Sequence, residues 1–157
     1  MRRKDREITD IQKIDEILKK ARVIRVSVYD GESPYIVPLN YGYELDGDKI
    51  IFYLHSAKEG RKIDLFRANN KVGFELDLEG ELVGEGKMAC VYTYEYSSII
   101  GNGIISEVES LDEKEAILNK LMHHYTGKSN FEYKKSSLEN VCILTLTSIS
   151  YTAKSNM

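Results

Sequence analysis

With 157 residues the chain has the length of one ordinary globular domain, and a domain of that size buries roughly 70% of its unfolded surface without disulfide or metal staples. Apolar residues make up 42%, charged residues 30%, and the formal net charge is −3; a protein that grips nucleic-acid phosphates normally carries a basic patch or stripe, so this balance argues against one. No apolar run approaches the ~20 residues of a membrane span, and Met1-Arg2-Arg3-Lys4-Asp5-Arg6 has no apolar stretch behind its charges, so the expected compartment is cytoplasmic and no membrane partner is expected.

The first predicted element is a helix over 10–21. Thr9 and Gln12 stand at capping-box spacing, and Ile11, Ile14, Ile17, Leu18 and Ala21 form one apolar stripe. β-branched and aromatic runs follow at 23–29, 35–43 and 49–54, separated by Asp30-Gly31 and Asp46-Gly47-Asp48. Asp-Gly supplies the positive φ of tight hairpin turns, so the runs read as a meander. A short helix is predicted over 57–67, then strands over 71–78, 82–94 and 99–108. A third helix starts at Ser110, with Glu113 in capping-box register, and runs to Tyr125. Residues 127–140 are polar and read as loop with some helix, and the last strand covers 141–151. No repeat or linker divides the chain, so 1–157 reads as a single domain. The strands do not alternate with helices as βαβ units require. The pattern therefore predicts a mainly β fold with peripheral helices, six or seven antiparallel strands forming a barrel.

The chemistry concentrates in three stretches. In His55-Ser56-Ala57-Lys58-Glu59-Gly60-Arg61-Lys62 a strand gives way to a helix, Ser56 stands where an N-cap is expected, and Glu59 falls at N3. A helix start offers free N–H groups and a partial positive charge, and Arg61 and Lys62 add two cations, so a terminal phosphate suits the place. A capped surface helix with a solvated basic pair fits the spacing equally well. His55, the only histidine before His123 and His124, sits at this corner. Those two are adjacent on a helix and face different ways, so no metal site is read from the histidines. The second stretch is Pro34-Tyr35-Ile36-Val37-Pro38-Leu39-Asn40-Tyr41-Gly42-Tyr43, which holds both prolines of the chain. Proline in a sheet belongs on an edge, at a strand start or at a bulge; here it either leaves free backbone groups that, with the Asn40 amide, can meet a planar heterocycle, or simply protects the edge against aggregation. The third is Tyr94-Glu95-Tyr96-Ser97-Ser98-Ile99-Ile100-Gly101-Asn102-Gly103. Its glycines do not open a helix, so a bulge in a bent strand is expected and a dinucleotide fingerprint is not. Cys90 and Cys142 lack CxxC spacing and read as two buried strand thiols.

Taken in order, these motifs and the opening Met1-Arg2-Arg3-Lys4-Asp5-Arg6-Glu7-Ile8 resemble the 5-nitroimidazole resistance (Nim) branch of the pyridoxamine 5′-phosphate oxidase-like split barrels. The resemblance implies an FMN-binding split β-barrel and a homodimer with FMN at the subunit interface. It implies that Pro38, Leu39 and Asn40 line the isoalloxazine ring, and that His55, Ser56, Ala57, Arg61 and Lys62 surround the phosphate end. Tyr96 and Ser98 would approach from the partner subunit, and His55 would take part in reduction of the substrate. The chain has no Trp and ends soon after Tyr151, which speaks against the Arg- and Trp-containing C-terminal motif of the true oxidases. The function implied is FMN-dependent reduction of nitro-aromatic or related electron-poor small molecules. Reduction of another substrate on the same fold, and flavin binding or storage without turnover, are the alternatives.

Overall fold

The computed structural model describes residues 3–157; Met1 and Arg2, which begin the opening motif, lie outside the described residues. Eight strands form one antiparallel sheet: β1 (Glu7–Ile8), β2 (Ile24–Tyr29), β3 (Pro34–Leu39), β4 (Tyr41–Asp46), β5 (Lys49–Ala57), β6 (Lys71–Val83), β7 (Thr93–Val108) and β8 (Val141–Ser155). Their spatial order is β3-β2-β6-β7-β8-β5-β4, with the short β1 paired to β8. The helices are α1 (Ile11–Lys20), α2 (Arg61–Ala68), α3 (Leu111–Thr126) and α4 (Lys135–Asn140).

The order of strands locates the seam of the barrel. The run 35–43, predicted as one strand, is two: β3 pairs with β2, and β4 pairs with β5, at the other end of the order. Asn40 alone separates them, so the chain steps from one margin of the sheet to the other within a single residue. Tyr35, Ile36 and Val37 before Asn40 and Tyr41 and Tyr43 after it are all strand formers, and residue pattern does not reveal a change of partner. Both prolines lie in β3, a margin strand, where their missing N–H groups cost no ladder bonds.

Period-two alternation then builds the core. Ile24, Val26 and Val28 of β2, Ile50, Phe52 and Leu54 of β5, Val72, Phe74 and Leu76 of β6, and Leu144 and Leu146 of β8 are all buried in one cluster. The Ile14, Ile17 and Leu18 stripe of α1 joins it, as the 3.6-residue period requires. Asp10, not Thr9, caps α1: its carboxylate accepts the Gln12 N–H at 2.9 Å. The Tyr41 hydroxyl, fully buried, donates to the Leu18 carbonyl at 2.8 Å and ties α1 to β4. On the outside, α3 lies so close to β4 that a Cβ on Gly42 would stand 2.8 Å from the Leu121 Cα. Only glycine fits there, and the approach lets Ile117 cover Tyr53 and Ile143. The predicted bulge is present, as a register shift between Asn102 and Gly103 opposite β8.

Two further expectations are corrected. The stretch 82–94 is not one strand: β6 ends at Val83 and β7 begins at Thr93, with a 3-10 turn at Ala89–Val91 between them. Cys90 sits on that turn and is exposed, whereas Cys142 is buried as expected.

Candidate functional site

The start of α2 departs from its sequence reading. Strand β5 continues through Ser56 to Ala57, because its ladder with β8 runs on to the pairs Ser56–Cys142 and Ala57–Val141. Ser56 is therefore a strand residue and not an N-cap, and Glu59 is not at N3. The cap is Gly60, at φ 121° and ψ 162°, and it contributes no side-chain cap. That backbone region is essentially reserved for glycine. The Gly60 carbonyl accepts the N–H groups of Ile63 and Asp64 at 2.9 and 3.2 Å. The N–H groups of Arg61 and Lys62 precede the first intrahelical bonds, so they remain free for an acceptor.

Both ends of α2 are pinned. Ile63 and Phe66 enter the core. At the far end the Arg67 guanidinium forks onto Glu107 of β7 at 2.9 and 3.0 Å, which lowers the Glu107 carboxyl below its usual range. The Cys142 thiol donates to the same carboxylate at 3.4 Å, and burial with that neighbouring charge pushes the thiol up to about 11. At the near end Arg61 donates to the Asp30 carboxylate at 2.7 Å and lies 4.7 Å from the Tyr35 ring centroid. Asp30 also accepts the backbone N–H groups of Ser33 and Glu32, and these bonds, followed by Arg61, hold its carboxyl below the usual range. Asp30 and Tyr35 were read from sequence only as turn and strand residues. Nothing in the local pattern marks them as partners of a residue thirty positions away.

Lys62 has no carboxylate partner among the described residues, and it is half-buried. Ser56 shares the inward side of β5 with Phe52 and Leu54. Its Oγ is buried with no hydrogen-bond partner. Leaving such a hydroxyl unsatisfied costs about 1–3 kcal/mol, so the position calls for a ligand or a functional reason. His55, next in the strand, faces outward and is exposed.

The β3 segment approaches the same helix start from its Tyr35 end, and runs from there to Pro38, Leu39 and Asn40. Pro38 and Asn40 are exposed, Leu39 is buried, and the Asn40 amide donates to the Arg22 carbonyl at 3.2 Å. The fold thus joins the proline strand to the α2 start through Arg61 and Tyr35. It does not bring Tyr96 and Ser98 to them within one protomer. These lie on β7, across β2 and β6 from β3, a separation of roughly 14 Å at ordinary strand spacing. Tyr96 is half-buried; the Arg6 guanidinium at 3.4 Å, assisted by Lys154 over the ring, lowers its phenol. Ser98 is buried.

A family model described as pyridoxamine 5′-phosphate oxidase matches residues 10–153. The chain belongs to this family. Among solved structures, a candidate 5-nitroimidazole antibiotic resistance protein from Bacteroides thetaiotaomicron is 34% identical, covers 95% of this chain and 86% of its own, and superposes with a TM-score of 0.81. Two further solved structures share the fold and are more distant in sequence. The flavocytochrome Anf3 of Azotobacter vinelandii is 15% identical over 100% of this chain and 72% of its own, with a TM-score of 0.79. An FAD- and heme-binding protein of Mycobacterium smegmatis is 16% identical over 97% and 74%, with a TM-score of 0.74. No curated protein matches the chain. Among the described residues no helix is long and apolar enough to cross a membrane.

Proposed function

We propose that this member of the pyridoxamine 5′-phosphate oxidase family is a single FMN-binding domain that acts in the cytoplasm, as a homodimer, to reduce nitro-aromatic or related electron-poor small molecules. The observation that carries the reading is the start of α2: a helix with no side-chain cap, two cations in its first turn, and an unpartnered serine hydroxyl on the adjoining strand. Lys62, Ser56 and the free N–H groups of Arg61 and Lys62 would hold the phosphate, with Ala57 at the strand end leaving room. Arg61 would contribute through those of its donors not already on Asp30. Pro38, Leu39 and Asn40 would lie along the ring. The flavin supplies the electron-transfer chemistry, and the protein supplies binding, orientation and electrostatics.

His55 is exposed on the protomer, and so is the Arg61 guanidinium, at 64% of its side chain. A cleft that buries a flavin is largely enclosed, so the open side calls for a second subunit. Tyr96 and Ser98, remote from β3 in their own protomer, would then come from the partner. The 34% identity to the Bacteroides resistance protein supports the substrate class.

The test is steady-state reduction of a nitroimidazole, with a reduced nicotinamide or dithionite as electron source, by wild type and His55→Ala at saturating FMN. A positioned proton donor contributes about 10²–10⁴-fold. The expected result is a variant fully occupied by FMN whose turnover falls by that order. Wild-type turnover in an FMN-saturated variant removes His55 from the chemistry. No turnover by the wild type favours flavin storage.

A further inference from the structure

The step from β3 to β4 at Asn40 is closed by a residue from the far end of α3. The Tyr125 hydroxyl donates to the Arg22 carbonyl at 2.6 Å and accepts the Tyr41 N–H at 3.1 Å. Arg22 lies between α1 and β2, and Tyr41 is the first residue of β4. One hydroxyl therefore ties α3 both to the α1–β2 connection and to the seam of the barrel.

Packing sets the place of that hydroxyl. Leu121 lies so close to Gly42 that a Cβ there would stand 2.8 Å from its Cα. Tyr125 is one turn further along the same face of α3. The contact that seats the helix on β4 thus also delivers the hydroxyl to Tyr41. The same turn holds the neighbouring carbonyl: His124 Nε2 lies 3.3 Å from the Ala21 oxygen, which also accepts the Tyr41 hydroxyl at 3.2 Å. The Arg22 guanidinium lies over the Tyr125 ring, 5.7 Å from its centroid.

The Arg22 carbonyl has a second donor. Asn40 gives it an amide hydrogen, with Nδ2 at 3.2 Å. A carbonyl oxygen has two lone pairs, and Tyr125 and Asn40 take both. The bond fixes which way round the amide sits. Nδ2 faces Arg22, and Oδ1, at the opposite corner of the group, faces away. Asn40 is exposed, and among the described residues its Oδ1 has no donor. Tyr41, the next residue, is buried and held twice, by its hydroxyl on Leu18 and by its N–H on Tyr125. The backbone that carries Asn40 is anchored accordingly. An amide held this way turns an acceptor outward. The oxidised isoalloxazine ring carries a single N–H, at the imide N3, and that is the group an acceptor selects.

We propose that Tyr125 is a positioning residue for the flavin ring: by clipping Arg22 to Tyr41 it holds Asn40 with Oδ1 as the acceptor for the imide N–H. The clip stands on the hydrogen bonds of this chain; the ring assignment rests on the flavin reading above.

The probe pair is FMN and 3-methyl-FMN, in which a methyl group replaces the imide hydrogen. Flavin-free wild type, Asn40→Ala, Tyr125→Phe and Tyr43→Phe are titrated with each by flavin fluorescence, and each variant is melted in the same buffer. Wild type is expected to favour FMN by about tenfold, the range of one hydrogen bond. Asn40→Ala, which removes the acceptor and makes room for the methyl group, should bring the ratio to about one. Tyr125→Phe keeps the ring over Arg22 and loses only the hydroxyl, and it should lower the ratio by about threefold or more. Tyr43→Phe is the control for general loosening. Its hydroxyl donates to Asp15 of α1 at 2.6 Å and to no residue of the seam, so the variant should melt earlier with an unchanged ratio. A wild type that binds both flavins equally overturns the acceptor role of Asn40. A wild-type ratio in Tyr125→Phe, or an equal loss in Tyr43→Phe, overturns the positioning role of Tyr125. A wild type that binds neither flavin overturns the flavin reading and the ring assignment with it, and only that outcome does so.

Discussion

The starts of α2 and α3 are built on opposite principles. At α3, the Ser110 hydroxyl accepts the Glu113 N–H at 3.5 Å, and Asp112 and Glu113 place negative charge where the helix dipole favours it. At α2, the cap is a glycine in a conformation that other residues rarely adopt, with no side-chain acceptor, and Arg61 and Lys62 stand where cations are least favoured. The first start satisfies itself. The second leaves its donors open and its cations only partly paired, and under the proposed function an anion from outside would complete it.

The comparison can be broken most forcefully at the cations. Charge-assisted hydrogen bonds contribute about 1.5–3 kcal/mol each, so Lys62→Ala is expected to weaken FMN by roughly ten- to a hundredfold. Arg61→Ala should cost less, because part of that guanidinium already serves Asp30. Asp30→Asn would then tighten FMN by freeing it. Calorimetric titration checks all three, and a larger loss at Arg61 than at Lys62 would reverse the assigned roles.

The caps come next. Gly60→Ala forces a side chain into a conformation that costs about 1–3 kcal/mol, and it should lower both stability and FMN affinity. Ser110→Ala should cost about 1 kcal/mol of stability and leave FMN binding unchanged. Denaturant unfolding with parallel FMN titration separates them; equal effects on FMN would erase the distinction between the two helix starts.

The smallest effect concerns pH. His124, on α3, packs 4.9 Å from the Tyr41 ring centroid. Burial, with Arg22 and His123 nearby, lowers its imidazole below the ordinary histidine value, although Nε2 lies 3.3 Å from the Ala21 carbonyl. The unfolded chain therefore binds a proton more readily than the folded one between the lowered and the ordinary value, and stability rises with pH across that window. It is lost as pH falls below the ordinary value. A His124→Phe variant should show a flatter melting temperature between pH 7 and 5, and an unchanged profile would contradict this account.

Much of this architecture was legible in the residues. Ile14, Ile17 and Leu18 of the α1 stripe follow a 3.6-residue period into the core, the Ser110 cap and the Gly101–Gly103 bulge stand at their predicted places, and the prolines lie on a margin. What escaped were changes of partner. Residues 35–43 look like one strand because β propensity is blind to which neighbour a strand pairs with. The helix at α2 was predicted to begin near residue 57 because Ser56 has a capping side chain. The ladder with Cys142 and Val141 holds that residue extended instead. Cys90 was expected to be buried because free cysteine is among the most buried residue types, but it sits exposed on the turn between β6 and β7. At the candidate site, the cations and His55 could be named from spacing and resemblance. The Arg61–Asp30 pair and the unpartnered Ser56 hydroxyl needed coordinates.

The central claim is that the start of α2 is a phosphate site, and titration of flavin-free protein with FMN and with riboflavin tests it most directly. The two ligands share the ring and ribityl chain and differ only in the phosphate. With at least two charge-assisted contacts at stake, FMN is expected to bind at least about a hundredfold more tightly, with an advantage that shrinks as salt is raised. Equal affinities at every salt concentration would contradict the account and reduce the start of α2 to an uncapped surface helix.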